Sequence, residues 1–457
     1  MNIALNEKLI REACATNQRN NEAIFPALKG VSSTNEIDVI LSEIQRIAEL
    51  PMEQSTTLPK EAYTSEAFFS WEIENIFRKE WLCLAHVSQI PNAGDFINLD
   101  LLGEPLIVIR DKSSKVRVLS RVCPHRAMDI MPPEFGYEGF GTADWKDGKP
   151  GCGNTRLFIC PYHSWTFELD GRLKACPEMQ EADGFHRDEW GLREFRSEEW
   201  NGFIFVNLDG EAPRSVAEQY QGLGNHIGKW KIQDMSIVVE NSWECPCNWK
   251  VLVENFMESY HHAGAHAKTL QPLMPARGTW TEAENPHFIR CHLPYKSKVR
   301  DEIKAREAEG QQWDVFPPIP GLEGEDRLEW GLMLGLPLFT FLVAPDQVVW
   351  YRIEPIGPDK LKVLTTVLVP KDVKAHPHFE QMLERGAADA VTFHLEDMEV
   401  VTAVQRSLYS KGYQRGRLSH LEMPIWLIQR YFAARARGTW PTMDRPGSPG
   451  QSPVPLD

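Results

Sequence analysis

Cys123-Pro124-His125-Arg126 and Cys160-Pro161-Tyr162-His163-Ser164-Trp165 decide the fold. Each string places one thiol and one imidazole within four residues. Each also follows an apolar run of strand type, KVRVLS at 115–120 and RLFIC at 156–160. Two such loops make a four-donor metal site. A [2Fe-2S] centre with thiolates on one iron and imidazoles on the other needs that donor set, and neutral imidazoles raise its reduction potential above that of an all-Cys cluster. A structural Cys2His2 zinc site uses the same donors tetrahedrally, although zinc fingers pair Cys with Cys.

Outward from the loops, Gly94 to Leu208 carries further short alternating runs, FINLDL, PLIVIR, SWTFEL and GFIFVNL, with Asp170-Gly171 as a hairpin turn. This predicts a small antiparallel β domain over 81–210. The loops are separated by 34 residues, Arg126 to Ile159, and the Gly-rich polar stretch EFGYEGFGTADWKDGKPGCGN reads as a surface insertion near 134–155. Cys152, between two glycines, has no histidine partner there, and Cys245-Pro246-Cys247 has no nearby third donor, so neither is read as a ligand.

Residues 1–55 read as a helical extension, with Ile37, Ile40, Leu41, Ile44, Ile47 and Leu50 recurring at threes and fours, and 56–80 as a lead-in helix packing on a catalytic domain. From 211 to 440, strand runs such as SIVVENSW, QVVWYRIEPIG and LKVLTTVLVP alternate with helical stretches without a βαβ repeat. An α+β domain on an antiparallel sheet covered by helices is expected. The Pro, Gly and Ser of 441–457 predict a loose tail. The fold class is therefore α+β, a small antiparallel β domain plus a larger α+β domain.

A second set of donors lies in Glu254-Asn255-Phe256-Met257-Glu258-Ser259-Tyr260-His261-His262 and continues to His266, three histidines and two carboxylates within thirteen residues. Two histidines and one carboxylate leave open positions on ferrous iron for dioxygen. If a helix runs on to Gly264, His262 and His266 share a face and His261 does not. A carboxylate can come from VTFHLEDMEVVTAVQRSL, whose apolar face is Val391, Leu395, Met398, Val401, Val404 and Leu408. Asp397 falls inside that arc, Glu396 at its edge and Glu399 outside. A carboxylate aimed into a core needs a partner, and a metal is one. His394 reads as a core or surface histidine.

CPHR, CPYHSW, ENFMESYHHAGAH and EDMEVVTAVQ together resemble the motifs of Rieske-type, aromatic-ring-hydroxylating non-haem iron oxygenases, over roughly residues 56–440. The resemblance implies that Cys123, His125, Cys160 and His163 hold the cluster. It implies that His261, His266 and Asp397 hold a mononuclear iron, with His262 and Glu396 as the alternatives. It places Glu258 as the acid bridging the two metal centres across a subunit boundary, and brings Tyr260 and Asn255 near the iron. It further implies dioxygen as co-substrate and NAD(P)H electrons through a separate reductase, with or without a ferredoxin. The expected assembly is a homotrimer acting on a small organic substrate, as in aromatic hydrocarbon catabolism, by mono- or dioxygenation or by oxidative demethylation.

Composition excludes other classes. The net charge of -15 disfavours nucleic-acid binding, which rests on surplus Lys and Arg. No apolar run reaches the length of a membrane span, the first twenty residues are no secretory signal, and nine dispersed cysteines suit a reducing cytoplasm. No Gly-rich dinucleotide fingerprint follows a strand, so a reductase must be a separate protein. A pure electron carrier needs only the first donor set, and the second set argues against it; a zinc-stabilised binding protein would be colourless, which a visible spectrum and an iron and sulfide assay distinguish.

Overall fold

The computed structural model describes residues 33–131, 144–145, 151–282 and 285–439. The expected tail, residues 1–32 of the expected extension and most of the expected insertion lie outside the described residues. Two compact units form, Ile76–Ile237 and the segments that precede and follow it. The first unit is longer at both ends than the 81–210 expected from strand patterning.

In the Ile76–Ile237 unit the strands are β1 (Leu82–His86), β2 (Asp95–Leu101), β3 (Glu104–Arg110), β4 (Val116–Ser120), β5 (Asp144–Trp145), β6 (Cys152–Asn154), β7 (Phe158–Ile159), β8 (Thr166–Phe167), β9 (Leu173–Ala175), β10 (Glu194–Trp200) and β11 (Phe203–Asn207). Eight form one sheet in the order β1-β11-β10-β4-β3-β2-β6-β5, and β7-β8-β9 form a second. Leu106, Ile107, Val108 and Ile109 of β3 are all fully buried, which is why PLIVIR shows no alternation: both faces of this central strand are covered. Gly171 takes φ +87° in the β8–β9 turn, a conformation an L side chain resists.

The expected insertion is partly a sheet edge. β5 and β6 pair with each other, and β6 pairs with β2, setting Cys152 opposite Ile97. Edge pairing needs only backbone donors and acceptors, so a Gly-rich run can do it without the alternation that marks a strand in sequence.

The other unit contains helices α1 (Ser33–Ala48), α2 (Glu66–Asn75), α3 (Trp249–Met257), α4 (Ser297–Ala308), α5 (Phe379–Leu408) and α6 (Met423–Ala436). Its strands are β12 (Met235–Cys245), β13 (Trp280–Glu282), β14 (Phe288–Pro294), β15 (Glu329–Gly335), β16 (Phe339–Val343), β17 (Val348–Gly357) and β18 (Lys360–Pro370). They form a single sheet in the order β12-β18-β17-β16-β15-β14-β13, antiparallel at the β13 to β18 pairings. Ile40, Ile44 and Ile47 of α1 are buried, in keeping with their spacing.

α5 buries Ala387, Val391, His394, Met398, Val401, Gln405 and Leu408, steps of four and three along one face. Val404, expected on that face, is 43% exposed, and Gln405 is buried instead. The exchange follows from hydrogen bonding: the Gln405 carbonyl accepts the Asn248 N–H at 2.8 Å and its amide donates to the Tyr63 carbonyl at 3.3 Å. A buried amide with both ends satisfied costs little.

α3 begins where Asn248 caps it, the side chain accepting the Lys250 N–H at 2.9 Å. Below that cap Lys250 Nζ meets Glu72 Oε1 at 2.6 Å, with both side chains out of solvent, and Trp249 Nε1 donates to Glu72 Oε2 at 3.2 Å. This pair ties α3 to α2. α3 ends at Met257, where Glu258 turns to extended backbone at φ -115°, ψ 150°.

Candidate metal centres

The two Cys-His loops are built alike. In the first, the Cys123 N–H donates to the Met128 carbonyl at 2.8 Å and the Ala127 N–H to the Cys123 carbonyl at 3.0 Å. In the second, Cys160 N–H donates to Trp165 and Ser164 N–H to Cys160 at the same distances. Ala127 and Ser164, each four residues after its cysteine, take φ of +55° and +60°, an uncommon conformation for residues other than glycine. The first loop follows β4 and the second joins β7 to β8.

Both thiols sit in an apolar core with Phe96, Ile107, Leu119, Phe158 and Phe167, 1% and 2% exposed. The imidazoles stand at its rim. Their ring centroids are 4.7 Å apart, and His125 stacks on Trp165 at 4.8 Å with planes 6° apart. The structure thus pairs thiol with thiol and imidazole with imidazole. The hydrogen bond from Cys123 is the main reason the Cys160 thiol is lowered to about 6, helped by the Tyr162 and His163 backbone N–H groups against the opposing effect of burial. The same hydrogen bond, together with burial, pushes Cys123 up.

His163 Nδ1 is buried and has no hydrogen-bond partner among the described residues, which is costly for a ring nitrogen unless another atom takes its lone pair. Two paired thiols, two paired imidazoles and this orphaned nitrogen fit a [2Fe-2S] centre with mixed ligation.

In the other unit, His261, His266 and Asp397 bring one ligand atom each within 4.8 Å of one another, the one such group among the described residues. His261 Nε2 lies 3.5 Å and His266 Nε2 3.1 Å from the same oxygen, Asp397 Oδ1. On the far side of each ring a second carboxylate waits: His261 Nδ1 is 2.6 Å from Glu258 Oε1, and His266 Nδ1 is 2.6 Å from Glu396 Oε2. Nε2 groups aimed at one point with Nδ1 groups held by carboxylates are the arrangement metal-binding histidines adopt. Burial pushes His266 down, but Asp397 and Glu396 outweigh it and raise it above its ordinary value. The donor set fits a ferrous ion with open positions.

Several expectations are corrected here. α3 does not run to Gly264 and carries none of the three donors; a 3-10 turn, Tyr260–Ala263, follows the extended Glu258 and rotates His261 into the site. Glu258 Oε2 also accepts the His261 N–H at 3.1 Å, fixing that turn. His262, favoured by ideal helical spacing, points away: its Nδ1 meets the Met274 carbonyl at 3.2 Å, and burial and His261 lower it to about 4. Glu396 faces His266 Nδ1 and the Thr269 hydroxyl, at 2.7 Å, on the far side from the common point. Tyr260 is 52% exposed, and Asn255 is no hydrogen-bond partner of His261, His266 or Asp397. His394 is buried against Trp243, ring centroids 4.2 Å apart, as a core histidine. Cys245 and Cys247 are buried and form no disulfide. Thr269 was not legible as a site residue, since nothing in its local sequence marks it.

Two families match the chain, "Rieske [2Fe-2S] domain" over residues 80–195 and "Ring hydroxylating alpha subunit (catalytic domain)" over residues 226–437. The carnitine monooxygenase oxygenase subunit of Acinetobacter baumannii is 34% identical over 79% of this chain and 88% of its own length. The glycine betaine monooxygenase oxygenase subunit of Pseudomonas aeruginosa is 26% identical over 80% and 86%. The crystal structure of the quaternary ammonium Rieske monooxygenase CntA with L-carnitine shares the fold, at a TM-score of 0.67 and 24% identity over 90% of this chain and all of that one. No helix among the described residues is long and apolar enough to cross a membrane. The chain belongs to the Rieske-type ring-hydroxylating oxygenase α-subunit family, and is an oxygenase component that carries a [2Fe-2S] cluster and a mononuclear iron and works with a separate reductase.

Proposed function

We propose that Cys123, His125, Cys160 and His163 hold the cluster, that His261, His266 and Asp397 hold the iron, and that the substrate is a small quaternary ammonium compound oxidised by monooxygenation. Held by these residues, an iron would supply dioxygen activation and a cluster the electrons for it. The protein's share is to leave positions open on that iron, to hold both histidines by their Nδ1 atoms, and to seat the cation beside them.

The carrying observation is a group of aromatic side chains close to the triad. Phe393 stands edge-on to His266 with centroids 6.4 Å apart, Trp330 stands behind Phe393 at 6.3 Å, and Tyr351 is near enough to Asp397 for the carboxylate to push its hydroxyl up, after burial. A quaternary ammonium group has no N–H to donate, so rings and a nearby negative charge are what can attract it. The names of the two relatives above agree with this chemistry. The aromatic-hydrocarbon role implied by the family's name is the second possibility, favoured by the fold shared with naphthalene 1,2-dioxygenase at a TM-score of 0.66.

The proposal extends to a homotrimer in the cytoplasm, with Glu258 as the acid between a cluster and the iron of adjacent subunits and an NAD(P)H-dependent reductase as electron source. Reduced protein is mixed with isotopically labelled dioxygen and, separately, L-carnitine, glycine betaine and naphthalene. One labelled atom in the product of an ammonium compound is expected. Two labelled atoms in a naphthalene product, with neither ammonium compound consumed, would overturn the substrate assignment. Light scattering that gives a mass other than three chains would overturn the trimer.

A further inference from the structure

The two iron-site histidines are oriented by carboxylates of different kinds. Glu258 holds His261 from within the same turn, accepting both the His261 backbone N–H and its Nδ1–H. Glu396 holds His266 from another element, α5, and its Oε2 is also within 2.7 Å of the Thr269 hydroxyl. Thr269 belongs to the turn that His266 starts, since its own N–H donates to the His266 carbonyl at 3.2 Å. Glu396 is therefore clamped to both ends of the 266–269 turn, while its neighbour Asp397 offers Oδ1 to His266 Nε2 on the opposite side of the ring.

We propose that Glu396 and Thr269 form a positioning pair that locks His266 as the Nδ1–H tautomer and aims its Nε2 at the iron. A hydroxyl has a single proton, which Thr269 gives to Glu396, so the carboxylate oxygen it reaches is held in place and is left to accept from the ring. His266 is 1% exposed, so bulk solvent is poorly placed to take over as that acceptor. If Glu396 is removed, Nδ1 loses its acceptor, the opposite tautomer becomes competitive, and that tautomer carries a proton where the metal must bind. Glu396 is a positioning residue acting through His266, and its neighbour Asp397 is the donor to the metal. The inference rests on the iron site and not on the identity of the substrate.

The test uses the full chain with its cluster intact, in Glu396→Gln, Glu396→Ala, Thr269→Val, Thr269→Ser and Asp397→Ala variants. Ferrous iron affinity is read by competition with a chelator, and the ligand field by the visible spectrum after cobalt(II) is placed at the same site; the cluster's own absorption checks folding. Glu396→Ala is expected to bind iron about 10- to 100-fold more weakly, the range seen when such orienting partners are lost. Thr269→Val should weaken binding in the same direction by less, and Thr269→Ser, which keeps the hydroxyl, should restore it. Both Glu396 variants should shift the cobalt spectrum. Unchanged affinity and spectrum in Glu396→Ala would overturn the proposal, and so would a loss as complete as that of Asp397→Ala, which would make Glu396 a ligand. If Glu396→Ala fails to fold, Thr269→Val decides: wild-type affinity and spectrum there overturn the pair. Failure of the wild-type chain to bind iron at all would instead overturn the assignment of the triad.

Discussion

Removing one member of the Lys250–Glu72 pair should destabilise the iron-bearing unit severely, whereas removing both should not. Both side chains are at or below 1% exposure, their contact is 2.6 Å, and no solvent is available to either. Breaking a buried pair by deleting one partner costs about 3–5 kcal/mol, because the survivor is an uncompensated charge, but replacing both by apolar groups is close to neutral. The two single losses are unequal here. Without Glu72, the Lys250 ammonium still lies over the Trp249 ring at 4.8 Å and the Phe68 ring at 5.6 Å, and cation–π attraction returns roughly 2 kcal/mol when desolvated. Without Lys250, the Glu72 carboxylate keeps only the Trp249 indole N–H. Lys250→Met should therefore cost about 4–5 kcal/mol and Glu72→Leu about 2–3 kcal/mol, while the double variant stays within about 1 kcal/mol of wild type. Urea unfolding followed by tryptophan fluorescence, with iron content measured alongside, reads this directly. Single variants that cost under about 1 kcal/mol, a double variant that costs the sum of both, or a Glu72→Leu that is the worse of the two would each refute a buried charge pair as the source of this stability.

Changing His261, His266 or Asp397 to Ala should leave the red-brown cluster absorption intact and lower the iron content from about three to about two per chain by elemental assay. His163→Cys should keep a cluster of lower potential, down by roughly 200 mV or more as thiolate replaces imidazole, measured by voltammetry. Asp111 offers a pH test: burial acts to raise it, but hydrogen bonds from the Ser113 hydroxyl and Arg117 outweigh this and hold it at about 2. Because its folded-state value is depressed, its contribution is present above its unfolded value near 4 and is lost as pH falls through 2; the shift corresponds to about 2 kcal/mol. Asp111→Asn should lose about that much stability at pH 7 and flatten the acid limb of the stability profile between pH 4 and 2.

The sequence by itself determined the donor chemistry. Two Cys-His strings sit beside strand-like runs, and a donor set confined to a short loop survives whatever the rest of the chain does, so Cys123, His125, Cys160 and His163 could be singled out from sequence, and the structure brings the two loops together. Helical periodicity pointed to Asp397 ahead of Glu396, because a carboxylate within an apolar arc needs a partner, and the structure sets its Oδ1 3.5 Å from His261 Nε2 and 3.1 Å from His266 Nε2. Tertiary structure decided what local rules could not. Ideal helical spacing favours His262, and the outcome turned on where α3 stops, which depends on the extended backbone at Glu258 and on that side chain capping the next turn. The separation of Asp397 from Glu396 depended on which neighbour each meets across 130 residues of chain. The edge strands β5 and β6 and the burial of Gln405 were equally invisible, since a backbone pairing and an amide satisfied from two other elements leave no mark on local sequence. Local chemistry names the donors, and only the contacts between distant segments aim them.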